Sequence, residues 1–242
     1  MPYYPYYFGF DWSYLLLLPC LLLTIWASAR VNSTFKRYSG QLSTRRITGA
    51  HAAERVLYSN GIRNVRIERV SGNLTDHYDP RTNVIRLSDS VYDSTSTAAI
   101  GVACHEAGHA VQYAESYAPI KLRAAIIPIT NFGSRLAMPL ILFGILLSAF
   151  SGVSNSLVYL GIACFALSLF FQLVTLPVEF NASRRALQAI DQSDILNDEE
   201  MKGARKVLSA AAMTYVAAAA ISFAQLLRLI LLFGGRNRNN RR

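Results

Sequence analysis

Residues 104–110 read Cys-His-Glu-Ala-Gly-His-Ala, and two histidines four apart with a glutamate directly after the first can build a hydrolytic metal centre. On an α-helix, positions i and i+4 share a face, so His105 and His109 can point two neutral imidazoles at one ion. Glu106 falls about 100° round the helix, where it reaches a water on the ion rather than the ion itself. Such a Zn²⁺ takes three protein ligands, keeps a fourth position for water and lowers that water's pKa to about 7. A neighbouring carboxylate then takes the water's proton and hands it to the leaving amine. Two surface histidines beside an unrelated acid would be the bland alternative. The context argues against it: residues 94–97 supply N-cap candidates, and residues 98–113 contain no proline, so the motif lies mid-helix.

A third ligand must come from elsewhere, and Glu179 is the strongest candidate. Two apolar blocks, residues 136–150 and 157–178, follow the motif helix and read as a transmembrane hairpin. The chain after the second block therefore returns to the side of the motif, bringing Glu179 to the membrane surface near His105 and His109. A helix-start acid beside Arg184 and Arg185 is the competing explanation. His77, in the turn-rich run Asp76-His77-Tyr78-Asp79-Pro80, is a further candidate for third ligand or oxyanion partner, against an Asx-type turn with a capping role. Tyr215 could donate to an oxyanion or simply pack. Cys104 is turned away from the histidine face and reads as a small packed residue. With no C-x-x-C among Cys20, Cys104 and Cys164, neither a disulfide framework nor a thiolate zinc site is indicated.

The surrounding composition is that of a membrane protein. Of 242 residues, 52% are hydrophobic and only 16% charged, and the apolar residues fall in blocks. The formal charge of +9 comes mostly from Lys and Arg flanking those blocks, which points to anionic lipid headgroups and away from nucleic acid. Residues 1–13 are aromatic and suit the membrane interface. Residues 14–29 are an apolar run ending at Arg30. Ala27-Ser28-Ala29 could be a signal-peptidase site, but a basic leader is missing, so a retained anchor is favoured. Five basic residues between Arg30 and Arg46 mark the following side as cytoplasmic. Residues 48–58 read as an amphipathic helix. Residues 65–70 and 83–88 read as strands joined by a turn-rich link, with 83–88 as a sheet edge on which an extended substrate could lie. Residues 191–206 read as a solvated helix. Residues 210–233 are apolar apart from Gln225 and Arg228, and a fourth span, a surface helix and a helix in the groove beside the metal all remain open.

The expected fold is therefore a mainly helical α+β, zincin-like membrane protein with three or four transmembrane helices and a small β-hairpin or sheet before the motif helix. Its segments are an aromatic anchor (1–30), a site-bearing part (31–127), the transmembrane hairpin (128–178), a helix carrying Glu179 (179–210), and an apolar helix with a basic tail (211–242).

These residues together resemble the YugP-like family of bacterial membrane zinc metallopeptidases. The resemblance rests on Leu74-Thr75-Asp76-His77-Tyr78-Asp79-Pro80, His105-Glu106-Ala107-Gly108-His109, Tyr117-Ala118-Pro119, the run from Leu173 through Glu179 to Ala186, and Thr214-Tyr215-Val216-Ala217. More distantly the chain is similar to the HtpX-type membrane zinc proteases, which carry an Asp where this chain has Ser183. Asn181 stands where an Asp is expected, which weakens any role at that position. The resemblance implies a gluzincin-like zinc peptidase in the bacterial inner membrane with its active site facing the cytoplasm. Its implied partners are protein or peptide substrates, lipids and other membrane proteins. Two other readings stand beside it: a site-2-type intramembrane protease, with the motif inside a span, and a non-catalytic metal-binding scaffold or chaperone partner.

Overall fold

The computed structural model describes residues 12–148 and 154–234. A short 3-10 turn, Trp12–Leu16, leads into α1 (Leu18–Ser39). Then come α2 (Gly49–Ser59), β1 (Arg66–Val70), β2 (His77–Asp79), β3 (Val84–Ser88) and α3 (Thr97–Ala114). Three long helices complete the chain: α4 (Ala118–Ser148), α5 (Ser154–Gln192) and α6 (Asp198–Gly234). Helices α1, α4, α5 and α6 are each long and apolar enough to cross a membrane. The apolar N-terminal residues 1–11 and the arginine-rich tail lie outside the described residues.

Helix α3 is the centre of the molecule. Ser96 caps it by accepting the Ala99 N–H at 3.2 Å, a contact worth about 1 kcal/mol. Its body is rich in alanine, the best helix former. Fourteen of its 18 residues are buried, so it is enclosed on nearly every side. The loop after α1 clamps its start, with Ser43 N–H bonded to the Thr95 carbonyl and Thr97 N–H to the Gln41 carbonyl. Small residues set how closely the neighbours approach. A Cβ on Gly108 would lie 2.7 Å from the Ala182 carbonyl oxygen of α5, and one on Gly101 3.3 Å from the Ala204 methyl of α6. Side-chain-free contact at Gly108 is what brings α5 alongside the motif face.

The sheet departs from the expected arrangement. Its order is β1-β3-β2, with β1 parallel to β3 and β2 antiparallel. Of the two forms expected, a hairpin or a sheet, the sheet is found: the link is long enough to carry the chain back for parallel pairing, and it deposits a third strand on the way. Asp79 forms the β2–β3 turn by accepting the Arg81 N–H at 3.0 Å and the Thr82 hydroxyl at 2.7 Å. Strand β3, with Val84, Ile85 and Leu87 fully buried, is central. It is therefore not a sheet edge; β2 is, and it lies against α3.

The helical ends also differ from expectation. Helix α4 begins at Ala118 and runs through Pro128 and Pro139, ten residues before the expected start of the hairpin at 128. Span and Glu179 segment form one continuous α5, and α6 runs unbroken past residue 210. The stretch expected to be solvated contains buried Glu200, which closes a capping box with Asn197 at 2.9 and 3.0 Å and also accepts the Thr44 N–H at 2.7 Å.

Candidate metal centre

Three elements converge at the motif face of α3. His105 and His109 project from it with ring centroids 4.7 Å apart. Glu179 reaches in from α5, its Oε2 lying 3.3 Å from His105 Nε2 and 3.6 Å from His109 Nε2. Donor atoms of all three lie within 4.8 Å of one another, and among the described residues no other group of this kind is present.

The far side of each donor is held by protein. Buried Gln112, one turn beyond His109, donates from Nε2 to the Val178 carbonyl at 2.8 Å and to Asn181 Oδ1 at 2.9 Å. That fixes its amide so that Oε1 faces His109 Nδ1 at 3.0 Å, which places the ring proton on Nδ1 and the lone pair on Nε2. Ser183 Oγ meets His105 Nδ1 at 3.1 Å. Arg123 on α4 donates to Glu179 Oε1 at 3.1 Å. Oε2 of Glu179 is buried and has no hydrogen-bond partner among the described residues.

This set fits a zinc ion. Tetrahedral ligands at 2.0–2.2 Å from zinc stand about 3.3 Å apart, close to the two distances from Glu179 Oε2. Two imidazoles whose Nε2 atoms face one bare carboxylate oxygen are a His₂Glu donor set. Burial alone would push the His109 pKa down, but the carboxylates of Glu179 and Glu106, with Gln112, outweigh it and hold it above the usual imidazole value. A proton and a metal therefore compete for the same nitrogen.

Glu106 is not part of the cluster. Its Oε2 accepts the Tyr78 backbone N–H of β2 at 3.0 Å, which aims the carboxylate beside the histidines. The same bond shows that the outer backbone edge of β2 faces the centre. Cavities of about 260 and 270 Å³ open on the site, and His105, Glu106, Glu179, Asp76 and Tyr215 line both. His77 lines only the first, and its Nδ1 is engaged by the Thr75 carbonyl at 2.9 Å on an exposed strand end, outside the donor cluster. Cys104 is fully buried in the core, where desolvation pushes its thiol pKa upward.

Two participants escape a reading by motif alone. Gln112 is three residues after His109 and so shares its face, a spacing visible in the sequence. Arg123 sits with Ile120, Ala124 and Ile127 on one helical stripe that lines the 260 Å³ cavity. Asn181 also has a definite place: its Oδ1 receives both Gln112 and the Arg185 guanidinium.

A family profile described as "Putative neutral zinc metallopeptidase" matches residues 13–234 of the chain. The chain belongs to that family. It is also 48% identical over 225 residues to a protein of Bacillus subtilis named "Putative membrane protease YugP", covering 93% of this chain and 98% of that one. No solved structure matches. The family description and the His₂Glu geometry agree on zinc, and the four long apolar helices agree with a place in a membrane.

A change at Gln112 isolates the support of the ligands. Gln112→Leu keeps the volume but removes the contact to His109 Nδ1, and zinc affinity should fall about 10- to 100-fold. Competition against a chromophoric chelator measures this, with helical content unchanged.

Proposed function

We propose that the protein is a membrane-embedded zinc endopeptidase. The observation that carries this reading is the convergence of His105, His109 and Glu179 with Glu106 poised beside them. Zinc held there would act as a Lewis acid and bring the pKa of a water to about 7. Glu106 takes the proton of the attacking water and returns it to the leaving nitrogen. Tyr78 holds that carboxylate in place, and Arg123 occupies Glu179 Oε1 so that Oε2 is left for the ion. An extended peptide lies along the outer edge of β2, using main-chain hydrogen bonds for position. Tyr215 and His77, both lining the cavity, face the developing oxyanion.

The location of the centre favours membrane-associated proteins or peptides as substrates. Basic residues from Arg30 to Arg46 support a cytoplasmic-facing site. The site-2-type reading finds no support, because α3 is not among the four helices apolar and long enough to span. Nor does a closed structural site, since His77 is not among the clustered donors.

Purified protein in lipid nanodiscs should cleave a membrane-anchored peptide. Treatment with 1,10-phenanthroline should abolish cleavage, and one equivalent of zinc should restore it while magnesium does not. Cleavage that survives complete metal removal would sink the proposal.

A further inference from the structure

A further cavity, of about 790 Å³, lies between α1, α5 and α6 and has none of the three metal-ligand candidates in its lining. It is within the size range of small-molecule sites. Trp26, Arg30, Ser33 and Arg37 line it from α1, spaced four, three and four residues apart and so on one helical face. Lys206 of α6 lines the opposite wall. No Asp or Glu lines it, and among the described residues none of the three cations is in an ion pair. Aromatic rings hold them instead: Arg30 stands over Trp26 at 5.1 Å, while Arg37 and Lys206 flank Tyr38 at 5.6 and 5.9 Å. Three like charges thus converge on one cavity with no balancing acid in its lining among the described residues.

The level of the cavity in the fold identifies the anion. On α1 the exposed apolar side chains (Leu18, Leu21, Leu22, Ile25) end at Trp26, and Arg30 follows one turn later. The cationic end therefore sits where hydrocarbon gives way to headgroups, with an aromatic ring at the boundary. On the α5 wall, Phe180 is 46% exposed and offers apolar surface beside the charges. A soluble anion has no use for that surface. A phospholipid has both parts.

We propose that this cavity is a binding site for an anionic phospholipid, its phosphate held by Arg30, Arg37 and Lys206, and its acyl chain lying against Trp26 and Phe180. Cationic pockets between membrane helices hold lipid headgroups through charge-assisted hydrogen bonds. Ser183 lines the same cavity and contacts His105, so the site borders the metal centre without containing a ligand to it. The proposal stands whether or not the protein is a peptidase.

Native mass spectrometry of the full chain, delipidated and then given phosphatidylglycerol or phosphatidylcholine with the same acyl chains, tests it. One phosphatidylglycerol should be retained in preference to phosphatidylcholine. Neutralising one cation should weaken that binding roughly fivefold, and Arg30→Gln, Arg37→Gln and Lys206→Gln together about a hundredfold. The pair Lys121→Gln and Arg135→Gln, on α4 outside the cavity, should leave it intact. Arg30→Gln alone, at an exposed position, serves if the triple variant loses helical content. Millimolar inorganic phosphate should neither displace the lipid nor raise the melting temperature. Unchanged preference in the variants overturns the site. So does an equal loss in the α4 pair, which would mean a diffuse basic surface. Displacement by phosphate would mean an anion site with no claim on lipid.

Discussion

Glu106→Gln should lower kcat for peptide cleavage by about a thousandfold, within the range lost with a general acid–base group, and leave the zinc content at one per chain. The amide can still accept the Tyr78 N–H, so its position is kept. It cannot take a proton from water. Because the histidines and Glu179 are untouched, KM should change little, and the loss belongs to the chemical step. Assays of cleavage and of bound metal on the same preparation check both halves. Full activity would remove Glu106 from the reaction. Loss of zinc along with activity would make Glu106 a ligand or a structural support.

Glu179→Gln has the opposite signature, because the metal itself should be lost. The carboxylate is nearly fully buried, with one oxygen bound by Arg123 and the other facing both imidazoles. A glutamine can still accept from Arg123 but offers an amide in place of the anionic ligand. Zinc affinity should fall by more than the roughly 100-fold that bounds the loss of an outer hydrogen-bond partner such as Gln112. Activity should fall with it and recover only in part at high zinc. Glu179→Ala should do worse, leaving the Arg123 guanidinium beside the site without its carboxylate and costing stability on the order of 3 kcal/mol. Equilibrium dialysis against zinc, with thermal unfolding of the metal-free proteins, separates the two variants. Zinc bound to Glu179→Gln as tightly as to the parent would assign the third donor elsewhere.

The site was more legible in the sequence than the sheet was. His105, Glu106 and His109 are tied by helical periodicity, which needs only the local rule that i and i+4 share a face. Glu179 was reachable through a topological argument, since two spans return the chain to its starting side. Strand pairing obeys no such local rule. Residues 77–79 make only three rungs, in a segment whose Asp, Pro and Asn signal turns. Their strand character comes from β3 on one side and the Glu106 carboxylate on the other. The edge was consequently assigned to residues 83–88, whose apolar character in fact reflects burial at the centre. Arg123 lies between Pro119 and Pro128, in a stretch that carries no motif of its own. Proline at the second position of a helix costs no hydrogen bond, and within a span neighbouring helices tolerate one. Ser183 and Asn181 illustrate a further limit. Each departs from the acid expected by resemblance, yet the hydroxyl and amide still meet His105 and Gln112, because the geometry needs a polar atom there and not a charge.

The central claim is that one ion is shared between α3 and α5. Anomalous scattering from crystals of the protein, recorded on both sides of the zinc absorption edge, addresses it most directly. The expected result is a single peak per chain, within bonding distance of His105 Nε2, His109 Nε2 and a Glu179 carboxylate oxygen. A peak that lacks Glu179, or one closed by a fourth protein side chain, would contradict it.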